Sequence, residues 1–419
     1  CILSSAAAHR DLVQFHLTME HDDHEPVDGR VIDDLEGEAH IEDDDDGSDD
    51  GEGGSDDAQP MEVEDDSIHS FEAHNDPVLA VAWSPAHPDL VATGGQDDRA
   101  FMWRVGQDAY ESTSGSLSTY ELEGHTDTVA SLAFSVQGTY LATGGMDGVV
   151  KVWDTKDGKL VQTLEGPGGA IEWVQWHPKG NVVLAGSDDM TMWMWLASTG
   201  ACMQVFSGHS GPVTAGAFTP DGKHVVSVGG EEDCSLRVWS PKTGECTTTV
   251  AGFPYHSEAV TCMAVHHDSA LVVSGSEDGS VRVVNINVAS SHKVVQQINW
   301  HEDSVEAVGF SPHQSLAASA GIDGTLRIWD INQSNIERSK CEHPDVVTRL
   351  AWHPTQPLVF TGCGDGFARC WDLRTGAMVR QYGGHVACIQ SLAVSPDGSM
   401  LLTGADDNTA KVFLTTGSM

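Results

Sequence analysis

A Ser/Thr-Gly-Gly/Ser-x-Asp segment with an aromatic residue, usually Trp, six positions on recurs down this chain. Its aspartate falls at Asp97, Asp147, Asp189, Asp233, Asp278, Asp323, Asp365 and Asp407. The steps between them are 50, 42, 44, 45, 45, 42 and 42 residues, the length of a four-stranded antiparallel unit. The clearest copy is GHTDTVASLAFSVQGTYLATGGMDGVVKVWD, from Gly124 to Asp154. Its short runs of Val, Leu and Thr alternate in polarity and end at Gly/Asp turns, which reads as β-strand, and no segment carries a helical period. One such unit cannot bury its apolar faces alone, so eight in register predict an all-β, eight-bladed propeller. The step of 50 holds a polar insertion at Gln107–Tyr120, expected as a loop. Sheet edges must be paired. The last repeat ends at Phe413, so its missing outer strand is expected from residues 67–71. The expected domains are a tail over 1–66, the propeller over 67–413 and a short end over 414–419.

Charge divides the chain differently. Its 419 residues carry 21 Lys+Arg against 63 Asp+Glu, a formal charge of −42. About half of that lies before residue 71, where Arg10 and Arg30 are the only bases. The run IEDDDDGSDDGEGGSDD cannot bury enough apolar surface to offset ordering its backbone, so a disordered acidic tail is expected. Asp46-x-Ser48-x-Asp50-Gly51 imitates half a calcium loop. Asp57 stands where a bidentate Glu belongs and no amphipathic helix flanks it, so a solvated acidic run is expected instead. Met19 precedes the acidic run, and residues 1–18 read as a leader or fragment end. Such acidity repels phosphate backbones and anionic lipid, so neither nucleic acid nor membrane is expected as a direct partner. Nine cysteines without a CxxC pair point to reduced thiols in the cytoplasm, with the nucleus also open, rather than disulfides or zinc.

The His…Ser/Thr…Asp…Trp order, with a terminal Trp-Asp, resembles the WD-repeat family over residues 67–413. In that family imidazole, hydroxyl, carboxylate and indole form one hydrogen-bonded network per blade. The resemblance implies complete sets at His74-Thr93-Asp97-Trp103, His125-Thr143-Asp147-Trp153, His209-Ser227-Asp233-Trp239, His301-Ser319-Asp323-Trp329 and His343-Thr361-Asp365-Trp371. Blade five has Val284 for Trp and blade eight has Phe413. Blade three has Pro167 for His and Ala185 for the hydroxyl, leaving Asp189 to water or backbone groups. One His and one Asp per blade at fixed spacing read as structural. The glycine runs lack a following helix, so no phosphate loop is expected, and neither is catalysis or a cofactor.

In propellers of this family, the positions three and five after the His and one before the Asp reach partners. Here they include Glu172, Asp188, Glu232, Glu277, Glu306 and Asp406, with Leu79, Met146, Ile322 and Val346 as apolar members. Glu231, Glu258, Glu302 and Asp303 extend a patch expected over blades three to six. An acidic tail, eight blades and a short C-terminal end resemble the angio-associated migratory cell protein family and the related fungal WD-repeat chaperone of a large-subunit ribosomal protein. That resemblance implies a monomeric holder of a basic ribosomal-protein segment. Two other readings stay open. Trp371-Asp372-Leu373-Arg374 is similar to the WDxR box by which some propellers join cullin-four ubiquitin ligases as substrate receptors. A generic signalling or cell-migration scaffold is the other.

Overall fold

The computed structural model describes residues 64–106, 119–287, 293–333 and 336–415. The acidic tail before residue 64, its calcium-loop imitation, the suggested leader over 1–18, most of the Gln107–Tyr120 loop and residues 416–419 lie outside them. Among the described residues, thirty-two strands form eight four-stranded antiparallel sheets, an eight-bladed all-β propeller. Seven blades use four consecutive strands. Blade one, for example, is β2 (Val78–Trp83), β3 (Leu90–Gly95), β4 (Ala100–Arg104) and β5 (Thr119–Leu122), in that order. The eighth is mixed: β30 (Ile389–Val394), β31 (Met400–Ala405) and β32 (Ala410–Leu414) are completed by β1 (His69–Phe71), with Ser70 opposite Lys411. Pairing first strand with last removes the open edge that a ring of sheets would otherwise carry.

The core lies between blades rather than within one. Leu164 and Val152 of blade two meet Ile171, Trp176 and Trp195 of blade three in one buried cluster. At the seam, Leu402, Ala410 and Val412 of blade eight meet Val78, Val91 and Trp103 of blade one. Each sheet therefore buries both faces, which is why its strands read as nearly continuous apolar runs.

Two local devices set what each blade presents. The residue after every turn aspartate is left-handed, as at Gly148 (φ 79°), and blade three holds Met190 (φ 70°) in that conformation despite its side chain. Second, the pairing of innermost and second strands slips by one residue in seven blades, between Val78 and Ala80 in blade one and between Ile171 and Trp173 in blade three. Such a bulge drops one residue out of the ladder and re-aims its side chain. The residues released are Leu79, Ala130, Glu172, Thr261, Glu306, Thr348 and Gln390, each five positions after the blade's first-turn residue. When that residue is Thr, its hydroxyl links blades: Thr348 donates to Ile389 O at 2.5 Å. No helix among the described residues is long and apolar enough to cross a membrane.

Candidate functional site: a carboxylate-rich end of the propeller

The turn carrying each His and the turn carrying each Asp lie at the same end of the blade, and His–Asp bonds tie them together in blades one, two, four, six and eight. Two blades close the four-membered network. In blade two, His125 Nδ1 lies 3.0 Å from Asp147 Oδ2, His125 Nε2 lies 2.7 Å from Thr143 Oγ1, and Trp153 Nε1 donates to the same Oγ1 at 3.0 Å. In blade four, His209 bonds Asp233 and Ser227, and Trp239 Nε1 donates to Ser227 at 2.8 Å. Burial alone would raise the Asp233 carboxyl, but its bonds with His209 and Ser235 and the charge of Arg237 hold it down at about 2.

Three of the expected complete sets are not complete. In blade one His74 reaches Thr93 and Asp97, both at 2.9 Å, but Trp103 Nε1 has no acceptor. The cause is the closing strand. Phe71 stacks on the Trp103 indole at 4.8 Å and His69 at 5.0 Å, fixing the ring by its faces. In blade six His301 bonds Ser319 and Asp323, yet Trp329 Nε1 donates to Gln296 of the preceding blade's outer strand at 3.1 Å. In blade seven Thr361 serves His343 and Trp371, while Asp365 is gripped by both arms of Arg369 instead of His343. With Nδ1 left alone, His343 is pushed down to about 4 by burial and the Arg369 charge.

The incomplete repeats are satisfied by substitutes. In blade three, Asp189 accepts from Gly168 N at 2.7 Å and from the Thr191 hydroxyl at 2.5 Å. In blade five, where Val284 replaces Trp, the Tyr255 hydroxyl donates to Ser274 at 3.0 Å. Blade eight keeps His385, Thr403 and Asp407 bonded around Phe413.

The acidic side chains at this end fall into two groups. Asp188, Glu231, Glu232, Glu258, Glu277, Glu302 and Asp303 are exposed, Asp406 is half-buried and bonded by Gln390, and Met146, Ile322 and Val346 are half-buried. Glu172, Glu306 and Leu79 are not displayed: they are 8 %, 4 % and 5 % exposed. Bulge geometry explains this correction, because the released side chain turns toward the ring's axis. Glu172, Leu79, Met146 and Arg349 line one cavity of about 260 Å³ there. Burial, with Asp188 nearby, pushes the Glu172 carboxyl up to about 9.

The patch also reaches beyond blades three to six. Asp76, Asp127 and Asp345, each two residues after a blade's His, are exposed. Burial together with Asp127, Asp97, Asp147 and Asp76 raises Asp98, and burial together with Glu231, Glu306 and Glu258 raises Glu277. An acid two positions after the His in five repeats was the available sequence signal. Arg374 lies at the opposite end, after the third strand of blade seven. It bonds the Asp372 carboxylate of its own turn, while Trp371 is buried on Thr361. Among the described residues, no cluster of three or more His, Cys, Asp or Glu is placed to hold a metal ion.

The WD domain, G-beta repeat profile matches residues 65–104, 116–154, 158–195, 200–240, 244–285, 292–330, 336–372 and 376–413. The human angio-associated migratory cell protein is 38% identical over 213 residues, 51% of this chain and 46% of that protein. The chain thus spans about half the length of the curated relatives it matches. Mouse striatin-4 is 27% identical over 49% of this chain and 34% of its own length. The crystal structure of Chaetomium thermophilum Sqt1 bound to the N-terminus of ribosomal protein L10 matches with a TM-score of 0.75 at 25% identity, covering 84% of this chain and 100% of that one. With eight matched repeats, each spanning the outer strand of one blade and the first three strands of the next, the chain belongs to the WD-repeat (WD domain, G-beta repeat) family.

Proposed function

We propose that this chain is a non-enzymatic propeller whose carboxylate-rich end holds a basic segment of a client protein, and that the client is a ribosomal protein held before it joins the large subunit. The observation that carries the reading is the run of exposed Glu231, Glu232, Glu258, Glu277, Glu302 and Asp303 on three consecutive blades. Burial first, and the like charges crowded around it second, raise the Glu277 carboxyl, and an arriving Lys or Arg relieves that repulsion through charge-assisted hydrogen bonds. The likeness to Sqt1, a propeller crystallised with the L10 N-terminus, supports the choice of client class.

A synthetic peptide of the L10 N-terminus provides the test. Its affinity is expected to fall steeply with added salt, because exposed charges are screened over a Debye length of about 8 Å at physiological ionic strength. The double reversal Glu258→Lys with Glu277→Lys is expected to weaken binding about ten- to a hundredfold and flatten the salt dependence. Unchanged affinity and salt dependence in that variant would remove the acidic end as the binding surface.

A further inference from the structure

Blade five enters its His turn differently from its neighbours. Two residues separate the last buried outer-strand residue from the His at Phe71–His74, Leu122–His125, Phe206–His209, Ile298–His301 and Tyr382–His385. Between Val250 and His256 there are five, Ala-Gly-Phe-Pro-Tyr. Both flanks of this insertion are fixed. Gly252 turns with φ 65°, the Pro254 carbonyl accepts from Arg282 Nε at 2.8 Å, and the Tyr255 hydroxyl is bonded to Ser274. What the anchored turn then presents is Phe253, with 96 % of its surface exposed. An aromatic ring left wholly in water forfeits the free energy that burial would give it, and nothing in the blade uses it.

Its surroundings say what could. Phe253 lines a pocket of about 380 Å³ with Cys234, Ser257, Asp233 and Asp278. Asp233 and Asp278 line the pocket itself, exposed Glu258 and Glu277 directly adjoin its Ser257 and Asp278, and burial with the charges of all four carboxylates raises the Cys234 thiol there. The two nearby arginines are already engaged: Arg237 on Asp233, and Arg282 on backbone carbonyls and Asn299. A purely apolar partner would have to settle among those carboxylates. A cation is drawn to the negative face of the ring and to the acids at once.

We propose that Phe253 is the aromatic half of a subsite for one arginine or lysine side chain of the bound basic segment, with exposed Glu258 and Glu277 as its carboxylate half. This assignment rests on the acidic-end reading above and adds where, and by what contact, the segment is anchored. It is tested on the full chain with the L10 N-terminal peptide, comparing Phe253→Leu and Phe253→Trp with the unchanged protein. Phe253→Leu keeps an apolar side chain but removes the π face, and is expected to weaken binding about three- to tenfold. Phe253→Trp is expected to bind at least as tightly as the unchanged protein. Since the ring touches no core, melting temperatures should match. If the Phe253→Leu variant binds as well as the unchanged protein, the cationic subsite is overturned, while salt-sensitive binding lost on the Glu258→Lys and Glu277→Lys reversals would leave the acidic-end reading standing. Absence of any peptide binding by the unchanged protein overturns both.

Discussion

The substitution Glu172→Gln is expected to stabilise the protein by about 3 kcal/mol at pH 7, an unusual gain for a single change. The bulge in blade three turns this side chain out of its ladder and toward the ring's axis, where it is 8 % exposed. Burial first, and the neighbouring Asp188 second, raise its carboxyl from 4.5 to about 9. The direction of the linkage follows. Below pH 4.5 both folded and unfolded chains hold the proton, and nothing is lost. As pH rises above that, the unfolded chain releases the proton and the folded one keeps it, so stability falls until about pH 9. A glutamine amide does not titrate in this range and escapes that loss. Urea unfolding should therefore show little difference between the two proteins at pH 4 and a difference that grows through pH 7 to pH 9. Equal stabilities at pH 8 would mean that Glu172 is solvated or paired in the folded state.

The second large effect is expected in blade two. Thr143 Oγ1 serves both His125 Nε2 and Trp153 Nε1, and all three side chains are buried. Thr143→Val preserves the shape and orphans two polar groups, at about 1–3 kcal/mol each, so a loss of about 2–6 kcal/mol is expected. Blade one supplies an internal comparison. Trp103 Nε1 already lacks an acceptor there, so Thr93→Val orphans only His74 Nε2 and should cost about half as much. Denaturant midpoints for the two variants measure that difference, and identical losses would contradict the bonding described for Trp103 and Trp153.

The number of blades and their β character were legible because one aspartate per unit keeps step over eight units, and a wrong register anywhere would have broken the series. Spacing identifies which residues share a blade. It does not identify which donor reaches each acceptor, because that depends on side chains from other strands. Trp103 is held by Phe71 and His69 of the strand that completes blade eight, Trp329 is claimed by Gln296 of the preceding blade, and Asp365 is captured by Arg369 four residues on. Each competitor is an ordinary strand residue in the sequence. The same holds at the acidic end. Glu172 and Glu306 occupy positions equivalent to Leu79 and Thr348, and only the bulge shared by seven blades sends them inward instead of to the rim. Phe253 could have been noticed, since its insertion lengthens an interval that is two residues in five other blades. Its exposure could not, because an aromatic residue beside Pro and Tyr more often signals core.

Hydrogen exchange of the full chain with and without the L10 N-terminal peptide tests the central claim most directly, since it reports where the peptide sits. Protection is expected at the turns carrying Glu231, Glu258, Glu277 and Glu302, together with the Phe253 segment. Protection confined to residues 19–66, or to the opposite end around Arg374, would contradict it.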